Sequence, residues 1–411
     1  MSFEIEEQLG GKVGTALRKT FLSLRNRNFR LFFIGQSISN SGNWLTNVAL
    51  ILLVLKLTGS GVAVGVLAAC QYGPILLFSA YAGAIADRSD KRKLLFVTQV
   101  LEMLQSTALA IIAFQPHASL SVLYAIALCG GTVLAFDNPL RRSFVTEMVP
   151  REDIPNAVVL YSIIVNVSRI FGPALAGLLI VTLGFGWCFA IDAASYIAVI
   201  VCLSMMRPAE LYRGHPTPRE KGAVRAGLRY VMSMRILWVS FAMLIVIQVF
   251  SYNFTVTLPL FVTDTLHKSG NLFTLLYSLF GAGAVVSGLL VAHRSMVRMR
   301  HILWGALALG VSMLILAFVP SPELAMPAIF LVGMGSILYL TATTSIVQIE
   351  SAYGMHGRVL ALQTVILGGS SLIGGPLLGW LADTMGGRAP MIVGGVAALI
   401  AAAFGYLACK K

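Results

Sequence analysis

Twelve long apolar runs divide this sequence of 411 residues, and they constrain its fold more than any other feature. A helix needs about 20 residues to cross the hydrocarbon core of a bilayer. Inside that core a helix satisfies its own backbone hydrogen bonds. The runs therefore predict an all-α integral membrane protein with twelve transmembrane helices. They lie near residues 30–57, 62–86, 94–114, 120–137, 157–183, 187–206, 236–262, 272–292, 302–319, 327–349, 359–382 and 390–408.

The composition excludes a soluble globular protein. Hydrophobic residues make up 57% of the chain and charged residues 11%, whereas about a quarter of a typical soluble domain is charged. The net charge of +13 raises the question of nucleic-acid binding, but the cations lie in short clusters between apolar runs, without a basic face interleaved with aromatic residues. They indicate loops beside anionic membrane lipid, and we expect no nucleic-acid partner.

The cysteines and histidines show no pattern of a metal or cofactor site. No two of the five cysteines have CxxC spacing, and all lie in or beside apolar runs, where a reduced thiol packs as a small apolar group. The six histidines fall in connecting segments without metal-ligand spacing. The sequence also lacks a paired-carboxylate or nucleophile arrangement for catalysis. We expect no metal, no cofactor and no enzymatic activity.

Residues 1–29 form a segment of their own before the first run. Apolar residues recur there at steps of three or four, with cations elsewhere around the helix. This pattern suits an amphipathic helix on the cytoplasmic surface of an anionic leaflet. A disordered tail is an equally good interpretation. The segment lacks the continuous apolar stretch of a cleaved signal peptide.

The distribution of Lys and Arg predicts the orientation in the membrane. The chain has 30 Lys and Arg residues. If the N-terminus is cytoplasmic, all but four of them lie on the cytoplasmic side. The four exceptions are Lys56, Lys268, Arg388 and the intramembrane Arg169. Basic loops are retained in the cytoplasm. We therefore expect a multi-pass protein of the cell (inner) membrane with both termini cytoplasmic.

One long polar interruption divides the runs six and six. It covers residues 207–235 and carries seven cations, two acids and three prolines. Its later part, 221–235, favours a short surface helix. We interpret the interruption as a cytoplasmic linker between an N-terminal six-helix bundle at 30–206 and a C-terminal six-helix bundle at 236–411.

The two halves resemble a repeat. Gly172-Pro173 in the fifth run has a counterpart in Gly375-Pro376 in the eleventh run. Two parallel six-helix halves are a transporter architecture, in which the solute site lies near the middle of the membrane between the halves.

A charged hinge, Gly83 to Leu95, separates the second and third runs. The twenty residues before it carry no charge, and it combines an acidic residue, Asp87, with a basic cluster. The corresponding loop of the second half, 293–301, keeps cations but has His293 where Asp87 would align.

The hinge resembles the loop 2–3 signature of the major facilitator superfamily, G-x-x-x-D-R-x-G-R-[RK]. The matching residues are Gly83, Asp87, Arg88 and Arg92. Asp90 and Lys91 depart from the signature, which usually has glycine and arginine there. The resemblance implies a major facilitator fold with twelve transmembrane helices in two six-helix halves.

A second motif lies in the fifth run. Arg169, Gly172, Pro173 and Gly177 resemble the antiporter motif of the fifth helix in this superfamily, with Ser168 where a glycine is usual. The segments 27–31, 149–153 and 169–173 are similar to the exporter subgroup that includes enterobactin exporters and transmembrane secretion effectors.

The first run carries four amide side chains at steps of four, three and four, which places them on one helical face. They are Gln36, Asn40, Asn43 and Asn47. Such a stripe must face protein or water, so it indicates either hydrogen bonds between helices or a solute cavity. The resemblance favours the cavity, because the first, fourth, seventh and tenth helices line it in the family. The same argument adds Gln248, Tyr252, Thr255, Tyr339 and Thr343. Apolar walls with neutral polar groups suit amphiphilic solutes.

Four ionisable groups lie within or at the ends of the first-half runs, namely Glu102, Asp137, Arg169 and Asp192. Arg169 falls near the middle of its run, where an arginine costs at least about 2.5 kcal/mol on insertion scales. We hypothesise that it answers an anionic or proton-releasing partner, with Glu102 and Asp192 as candidates for proton coupling. A permanent ion pair that fixes helix packing is an equally good alternative.

The topology assigns the hinge a role as a conformational latch. Asp87 would face the N-terminus of the eleventh helix, near 357–359, where a helix dipole stabilises an aspartate by about 0.3 to 1 kcal/mol. The resemblance implies that Asp87 also joins a charge relay with Lys91 or Arg92 and with Asp137. Protonation of Asp87 or Asp137 would then bias the equilibrium between two conformations.

These observations predict a secondary active transporter that exports small amphiphilic molecules, whether drugs, siderophores or other metabolites, by alternating access and proton antiport. A translocator of lysophospholipid or other lipid and a membrane receptor or scaffold without transport are the alternatives. We expect a monomer whose partners are its substrate, protons and membrane lipid.

Overall fold

The computed structural model of the chain describes residues 21–212, 223–268, 270–291, 298–352 and 355–410, without the side chains of Ala80, Ala84, Ala86, Asp87, Ala223 and Val224. In these ranges twelve helices are long and apolar enough to cross a membrane, which confirms the predicted all-α membrane fold. The first six are α1 (Arg27–Thr58), α2 (Gly61–Arg88), α3 (Lys91–Ala113), α4 (Leu120–Val145), α5 (Ile154–Thr182) and α6 (Phe185–Met205). The last six are α7 (Arg235–Thr265), α8 (Gly270–Val291), α9 (Met299–Ala317), α10 (Pro322–Glu350), α11 (His356–Met385) and α12 (Arg388–Lys410).

Short capped turns connect α1 to α2 and α2 to α3. Gly59 ends α1 with a φ of 60°, a left-handed conformation that glycine adopts without strain. The hydroxyl of Ser60 then accepts a hydrogen bond from the N–H of Ala63 and caps α2. Asp90 caps α3 through the N–H of Lys93. Because each turn reverses the chain, the helix ends lie on two faces. We call the face with the α6–α7 connection the linker face, and the face with the α1–α2 turn the opposite face.

Helix α4 differs from the prediction at its end. It continues to Val145 instead of stopping at residue 137. The predicted boundary is wrong because Arg141 is 5% exposed and contacts Asp137 one helical turn earlier. A charge that is compensated inside the bundle does not end a membrane helix.

Helix α7 is interrupted between Phe250 and Phe254 and ends in a π-helical turn at Phe261–Thr265. The amide of Asn253 donates to the carbonyl oxygen of Val249 at 2.8 Å, and the hydroxyl of Ser251 donates to a carbonyl of α12 at 2.7 Å. Side chains thus bond to backbone oxygens at the break, as a membrane interior requires.

The linker and the N-terminus are described in part. A short helix occupies Ala223–Ser233, as predicted for the later part of the linker. It buries Val231 against the linker-face ends of α7, α10 and α11. Residues 1–20 of the predicted amphipathic segment, residues 213–222 of the linker and His293 lie outside the described residues.

The helices form two six-helix bundles, as the predicted fold requires. In the first, α1 packs on α5 and α6, α2 packs on α4, and α3 packs on α4 and α6. In the second, α8 and α9 pack on α10, and α12 packs on α7 and α9. The bundles meet along two antiparallel helix pairs, α2 with α11 and α5 with α8. These pairs border the space between the halves.

Candidate functional site between the two halves

The two halves touch closely at the opposite face. A Cβ atom at Gly61 of α2 would lie 2.6 Å from the carbonyl oxygen of Gly379 on α11, so a residue without a side chain permits this approach. At the linker-face ends of the same helices, no atom that the structure describes in another element lies within 4 Å of the Cβ position at Gly83 or Gly357. Among the described residues the helix pair is therefore closed at the opposite face and without contact at these two glycines.

Asp383, near the end of α11, binds the N-terminus of α2. Its carboxylate accepts hydrogen bonds from the hydroxyl of Ser60 at 2.7 Å and from the backbone N–H groups of Gly61 at 2.5 Å and Val62 at 3.0 Å. The partial positive charge at a helix start favours a carboxylate there. A side chain of the second half thus caps a helix of the first half. The available sequence signal was its position near the end of the eleventh run, which mirrors Asp87 near the end of the second.

Two cations of the predicted latch bind within the first half. The Nζ of Lys91 lies 2.6 Å from a carboxylate oxygen of Glu147, just after α4. Arg92 donates to the carbonyl oxygens of Leu203 at 2.8 Å and Ser204 at 3.1 Å. Since these carbonyls belong to the last turn of α6, the two cations tie the start of α3 to the ends of α4 and α6.

The other latch residues are divided between the surface and the interior. Arg88 is exposed at the end of α2. The side chain of Asp87 lies outside the described residues, so its contact with α11 stays a prediction. Asp137 is 1% exposed and accepts hydrogen bonds from Thr98 at 2.7 Å and Gln99 at 2.9 Å. In this conformation Asp137 belongs to an interior network of the first half.

A buried charged cluster joins α1, α3 and α4. The guanidinium of Arg141 contacts Asp137, lies 3.0 Å from a carboxylate oxygen of Glu102 and donates to the amide oxygen of Gln36 at 2.5 Å. The cluster holds two carboxylates for one guanidinium, so a bound proton would balance its charge. Arg141 was not singled out from the sequence. Its spacing of four residues from Asp137, which places both on one helical face, was the available signal.

Asp192 forms a second buried acidic site, between α6, α1 and α3. Its carboxylate accepts hydrogen bonds from the hydroxyls of Thr46 at 2.6 Å and Ser106 at 2.7 Å. The side chain is 1% exposed, and none of the ion pairs among the described residues includes it. A carboxylate that is buried without a cationic partner is stabilised by a bound proton.

Each of the four amides on α1 finds a hydrogen-bond partner in the protein. The partners are Arg141 for Gln36, the Gln36 carbonyl for Asn40, Tyr196 for Asn43 and Tyr72 for Asn47. Three of these bonds, those of Gln36, Asn43 and Asn47, join helices as one of the two interpretations requires, whereas the bond of Asn40 stays within α1. The solute-cavity interpretation of the stripe stays a prediction. The bond from Asn47 to Tyr72 joins α1 to α2 beside the second half.

The polar residues predicted on α7 and α10 lie mostly inside the second half. Buried among them are Gln248, Tyr339 and Thr343, and half-buried are Tyr252 and Thr255. The hydroxyl of Tyr252 donates to the carbonyl of Ser336 on α10, and the Nε2 of Gln248 has no hydrogen-bond partner in the described part of the chain. Tyr252 therefore connects α7 to α10 beside the break in α7.

Arg169 lies in the middle of α5 at the boundary between the halves. A Cβ atom at Gly281 of α8 would lie 3.2 Å from the Arg169 carbonyl oxygen, so the two helices are close here. The guanidinium is near enough to the phenol groups of Tyr72, Tyr252 and Tyr277 to act on them electrostatically. These tyrosines come from α2, α7 and α8, so both halves contribute to the surroundings of this arginine.

The hypothesised partners of Arg169 are engaged elsewhere. Glu102 pairs with Arg141, and Asp192 is held by hydroxyl groups. None of the ion pairs between described residues includes Arg169. The permanent ion pair that was the alternative for this arginine is likewise not observed in the described ranges.

Aromatic rings from both halves lie at the same boundary, where Trp44 contacts Gly172, three residues after Arg169. Trp44 of α1 packs on Tyr277 of α8 with ring centroids 5.6 Å apart. Tyr277 also contacts Phe273 at 5.7 Å and Phe280 at 5.9 Å, and Phe280 contacts Phe254 at 4.7 Å. Rings at these distances form an apolar wall, the kind of surface that lines small-molecule sites.

The antiporter-like motif places small residues along the boundary. Gly172 lies against the indole of Trp44, and Gly177 lies against Thr274 of α8. Pro173, which lies between these two glycines in the sequence, is also buried. Small residues let membrane helices approach closely, so this motif brings α5 against α1 within its own half and against α8 across the boundary.

Comparison with known proteins identifies the family. Residues 18–410 match the family described as transmembrane secretion effector. The chain is 32% identical to the staphyloferrin A transporter of Staphylococcus aureus over 178 residues, which cover 43% of this chain and 45% of that protein, about half its length. It is 24% identical to the multidrug efflux pump Tap of Mycolicibacterium fortuitum, with 88% and 92% coverage. It is also 24% identical to the enterobactin exporter of Shigella boydii, with 87% and 86% coverage.

A solved structure shares the fold. The bacterial homolog of the human lysosomal transporter Spinster, in an inward-facing and unoccupied conformation, superimposes with a TM-score of 0.73 at 16% identity, covering 93% of this chain and 97% of that one. The family match spans nearly the whole chain, and the predicted resemblance is confirmed. The chain belongs to the transmembrane secretion effector family of the major facilitator superfamily, whose members are membrane transporters and not enzymes.

Proposed function

We propose that this protein exports small amphiphilic molecules, such as drugs or siderophores, by alternating access coupled to proton antiport. The observation that carries the proposal is the asymmetric contact of α2 with α11 in the described ranges, which is tight at Gly61 and Gly379 and without neighbouring atoms at Gly83 and Gly357. Two rigid halves that close at one end only are suited to expose a central site to one side at a time. The names of the multidrug and siderophore relatives support the substrate class.

The orientation follows from the charges of the loops. Lys and Arg concentrate in the segments of the linker face, and such segments stay cytoplasmic. The protein then lies in the cell membrane with the linker and both termini inside. In that orientation the described conformation is closed to the exterior at α2 and α11.

Two aspartates provide the contacts that alternate. Asp383 at the C-terminal end of α11 caps the N-terminus of α2. Because the two helices are antiparallel, Asp87 at the C-terminal end of α2 is the corresponding group for the N-terminus of α11. We infer that outward opening breaks the first contact and forms the second. Contacts of similar strength at the two ends keep both conformations within a few kcal/mol of each other, as a two-state transporter requires.

Buried carboxylates of the first half supply the proton sites. Arg141 links α4 to α1 through Gln36 and to α3 through Glu102. Protonation of Glu102 removes the charge that holds the second link, so the proton changes the packing among three helices of one half. Asp192 lies between α1, α3 and α6 and is the second site. Helix packing and charge are thereby coupled.

Substrate flux in proteoliposomes under imposed pH gradients tests this proposal. The panel contains cationic, neutral and anionic drugs, siderophores and a lysophospholipid. We expect export of at least one soluble amphiphile. A proton gradient directed inward, opposite to the movement of the substrate, should accelerate this export. Flux that ignores the gradient would refute antiport. Movement of the lysophospholipid alone would assign the lipid translocator, and ligand binding without flux would assign the receptor.

A matched pair of variants separates coupling from transport. We expect Glu102→Gln to lose acceleration by the gradient while it keeps exchange of labelled for unlabelled substrate. Glu152, an exposed acid at the linker face, serves as the control, and Glu152→Gln should retain both activities. Equal gradient dependence of the two variants would exclude Glu102 as a coupling site.

A further inference from the structure

We propose that Arg169 is the anion-binding residue of the solute path and that the protein takes amphiphilic anions, which carry a carboxylate or a similar acidic group on an aromatic body. This inference rests on the proposed function and names the substrate class of the same site. Its three supports are a cation that forms no ion pair among the described residues, phenol groups within its electrostatic reach, and an aromatic wall from both halves.

The first support is the charge of Arg169. The residue occupies the middle of α5, which runs from Ile154 to Thr182, and it is half-buried. The buried acids of the first half that the structure describes have other partners, since Glu102 contacts Arg141 and Asp192 contacts hydroxyl groups. A cation in the middle of a membrane requires compensation, and an anionic ligand supplies it during transport.

The second support is a set of phenol groups within electrostatic reach of the guanidinium, those of Tyr72, Tyr252 and Tyr277. Asn47 donates to the phenol oxygen of Tyr72 at 3.0 Å, which leaves the O–H of Tyr72 available to donate to a ligand. Phenols do not neutralise a guanidinium, but Tyr72 adds a neutral donor within its electrostatic reach, whereas the Tyr252 hydroxyl already donates to Ser336. An arginine fork with a neighbouring O–H donor matches the two oxygens of a carboxylate.

The third support is the apolar wall. Trp44, Tyr277 and Phe280 form a continuous set of ring contacts, with centroids 5.6 and 5.9 Å apart. Such rings bind the flat face of an aromatic group. Together with the guanidinium, they favour a molecule that has an acidic head and an aromatic body over a small hydrophilic anion.

The two halves share this site. Arg169 and Tyr72 belong to the first half, whereas Tyr252 and Tyr277 belong to the second. A bound anion therefore touches both halves at once, so its binding free energy depends on their relative position. That dependence is what a transported substrate needs in order to shift the balance between conformations.

Equilibrium dialysis with a matched pair of probes tests the inference. The protein, in phosphatidylcholine nanodiscs, is dialysed against 2-naphthoate or against 2-naphthylmethylammonium, with empty nanodiscs as the background. We expect the wild type to bind the anion at least about tenfold more tightly than the cation. Arg169→Gln should lower the affinity for naphthoate about tenfold or more and abolish the charge preference. Arg169→Lys should keep the preference.

Two further variants control this experiment. Arg388 is an exposed arginine at the opposite face, and Arg388→Gln should bind both probes as the wild type does. Tyr72→Phe keeps the ring and removes the donor, so it should weaken naphthoate binding by a few fold and leave the amine unchanged. Melting temperature and size-exclusion profiles verify folding, and if Arg169→Gln does not fold, the wild type and Tyr72→Phe decide the question.

Anionic lipid headgroups carry the same kind of charge as the naphthoate probe. A separate experiment therefore tests whether the anion at this site comes from lipid or from solution. Dialysis is repeated in nanodiscs that contain phosphatidylglycerol. Reduced naphthoate binding in the wild type assigns a lipid headgroup as a competing occupant of the Arg169 site, and unchanged binding assigns a soluble anion.

The outcomes also separate this inference from the proposed function. A wild type without preference for the anion, or an Arg169→Gln variant that folds and keeps the preference, overturns the inference. If cationic drugs cross proteoliposomes equally well in the wild type and in Arg169→Gln, only the inference fails. Absence of flux for every compound overturns the proposed function regardless of the binding data.

Discussion

Replacing Asp383 with Asn is expected to weaken the closure of the opposite face. The carboxylate accepts three hydrogen bonds at the start of α2, from Ser60, Gly61 and Val62. An asparagine offers one acceptor oxygen, and its NH₂ group meets a donor at the other position. The substitution also removes the negative charge from the helix N-terminus.

The magnitude follows from these contacts. A hydrogen bond to a charged group contributes about 1.5–3 kcal/mol, and the helix dipole adds about 0.3–1 kcal/mol. Asp383 is exposed, so solvent screening reduces the total, and Asn keeps part of the bonding. A net loss of about 1–2 kcal/mol corresponds to a shift of about 5- to 30-fold in the equilibrium between closed and open.

Distance measurements between pairs of spin labels detect this shift. The five native cysteines are replaced first. One pair, at Leu57 and Lys268, reports the opposite face, and a second pair, at Lys93 and Gln348, reports the linker face; all four positions are exposed. In Asp383→Asn we expect a larger population with a long distance in the first pair and a short distance in the second.

Asp264 provides the matched control. It is an exposed aspartate at the opposite-face end of α7, and its carboxylate accepts a hydrogen bond from the neighbouring Thr263. Asp264→Asn removes the same charge and should leave both distance distributions unchanged. The reasoning is refuted if Asp383→Asn folds normally and its distances match those of the wild type, or if both variants shift equally.

Three other predictions concern stability and coupling. Arg141→Met should lower the free energy of unfolding by about 3–5 kcal/mol because two buried carboxylates lose their cation; denaturation in detergent measures this, and Glu102→Gln should cost less. Gly65→Ala adds a methyl group against the backbone of Gly375 and should lengthen the label distance at the opposite face, whereas an unchanged distance would contradict the packing argument. Asp192→Asn keeps a polar group among its hydroxyl partners but cannot release a proton, so proteoliposome flux should lose part of its dependence on the pH gradient; wild-type gradient dependence would argue against a coupling role.

The fold was predictable because each membrane-spanning helix appears in the sequence as one continuous apolar run. A run that crosses hydrocarbon must be apolar along its whole length, so all twelve helices were found. The end of α4 was missed for the complementary reason. Arg141 looks like a loop cation in sequence, and only the contact with Asp137 shows that it is buried.

The candidate site was predictable only in part. The acids Glu102 and Asp192 stood out because ionisable groups are rare in membrane spans, and both are buried in polar networks of the first half. Their partners did not stand out. Arg169 was expected beside one of these acids, whereas in the structure Arg141 pairs with Glu102 and the Arg169 backbone lies against Gly281 of α8.

The membrane class, the number of helices and the family could be inferred from the sequence, because they depend on the length, composition and motifs of single segments. Which charges pair, which amides are already bonded and which face is closed became apparent only from the packed helices. The reason is that pairing depends on contacts between residues far apart in the chain, such as Asp383 with Gly61. A local sequence pattern gives the type and spacing of the side chains, whereas the packing of the helices determines which residues each side chain contacts.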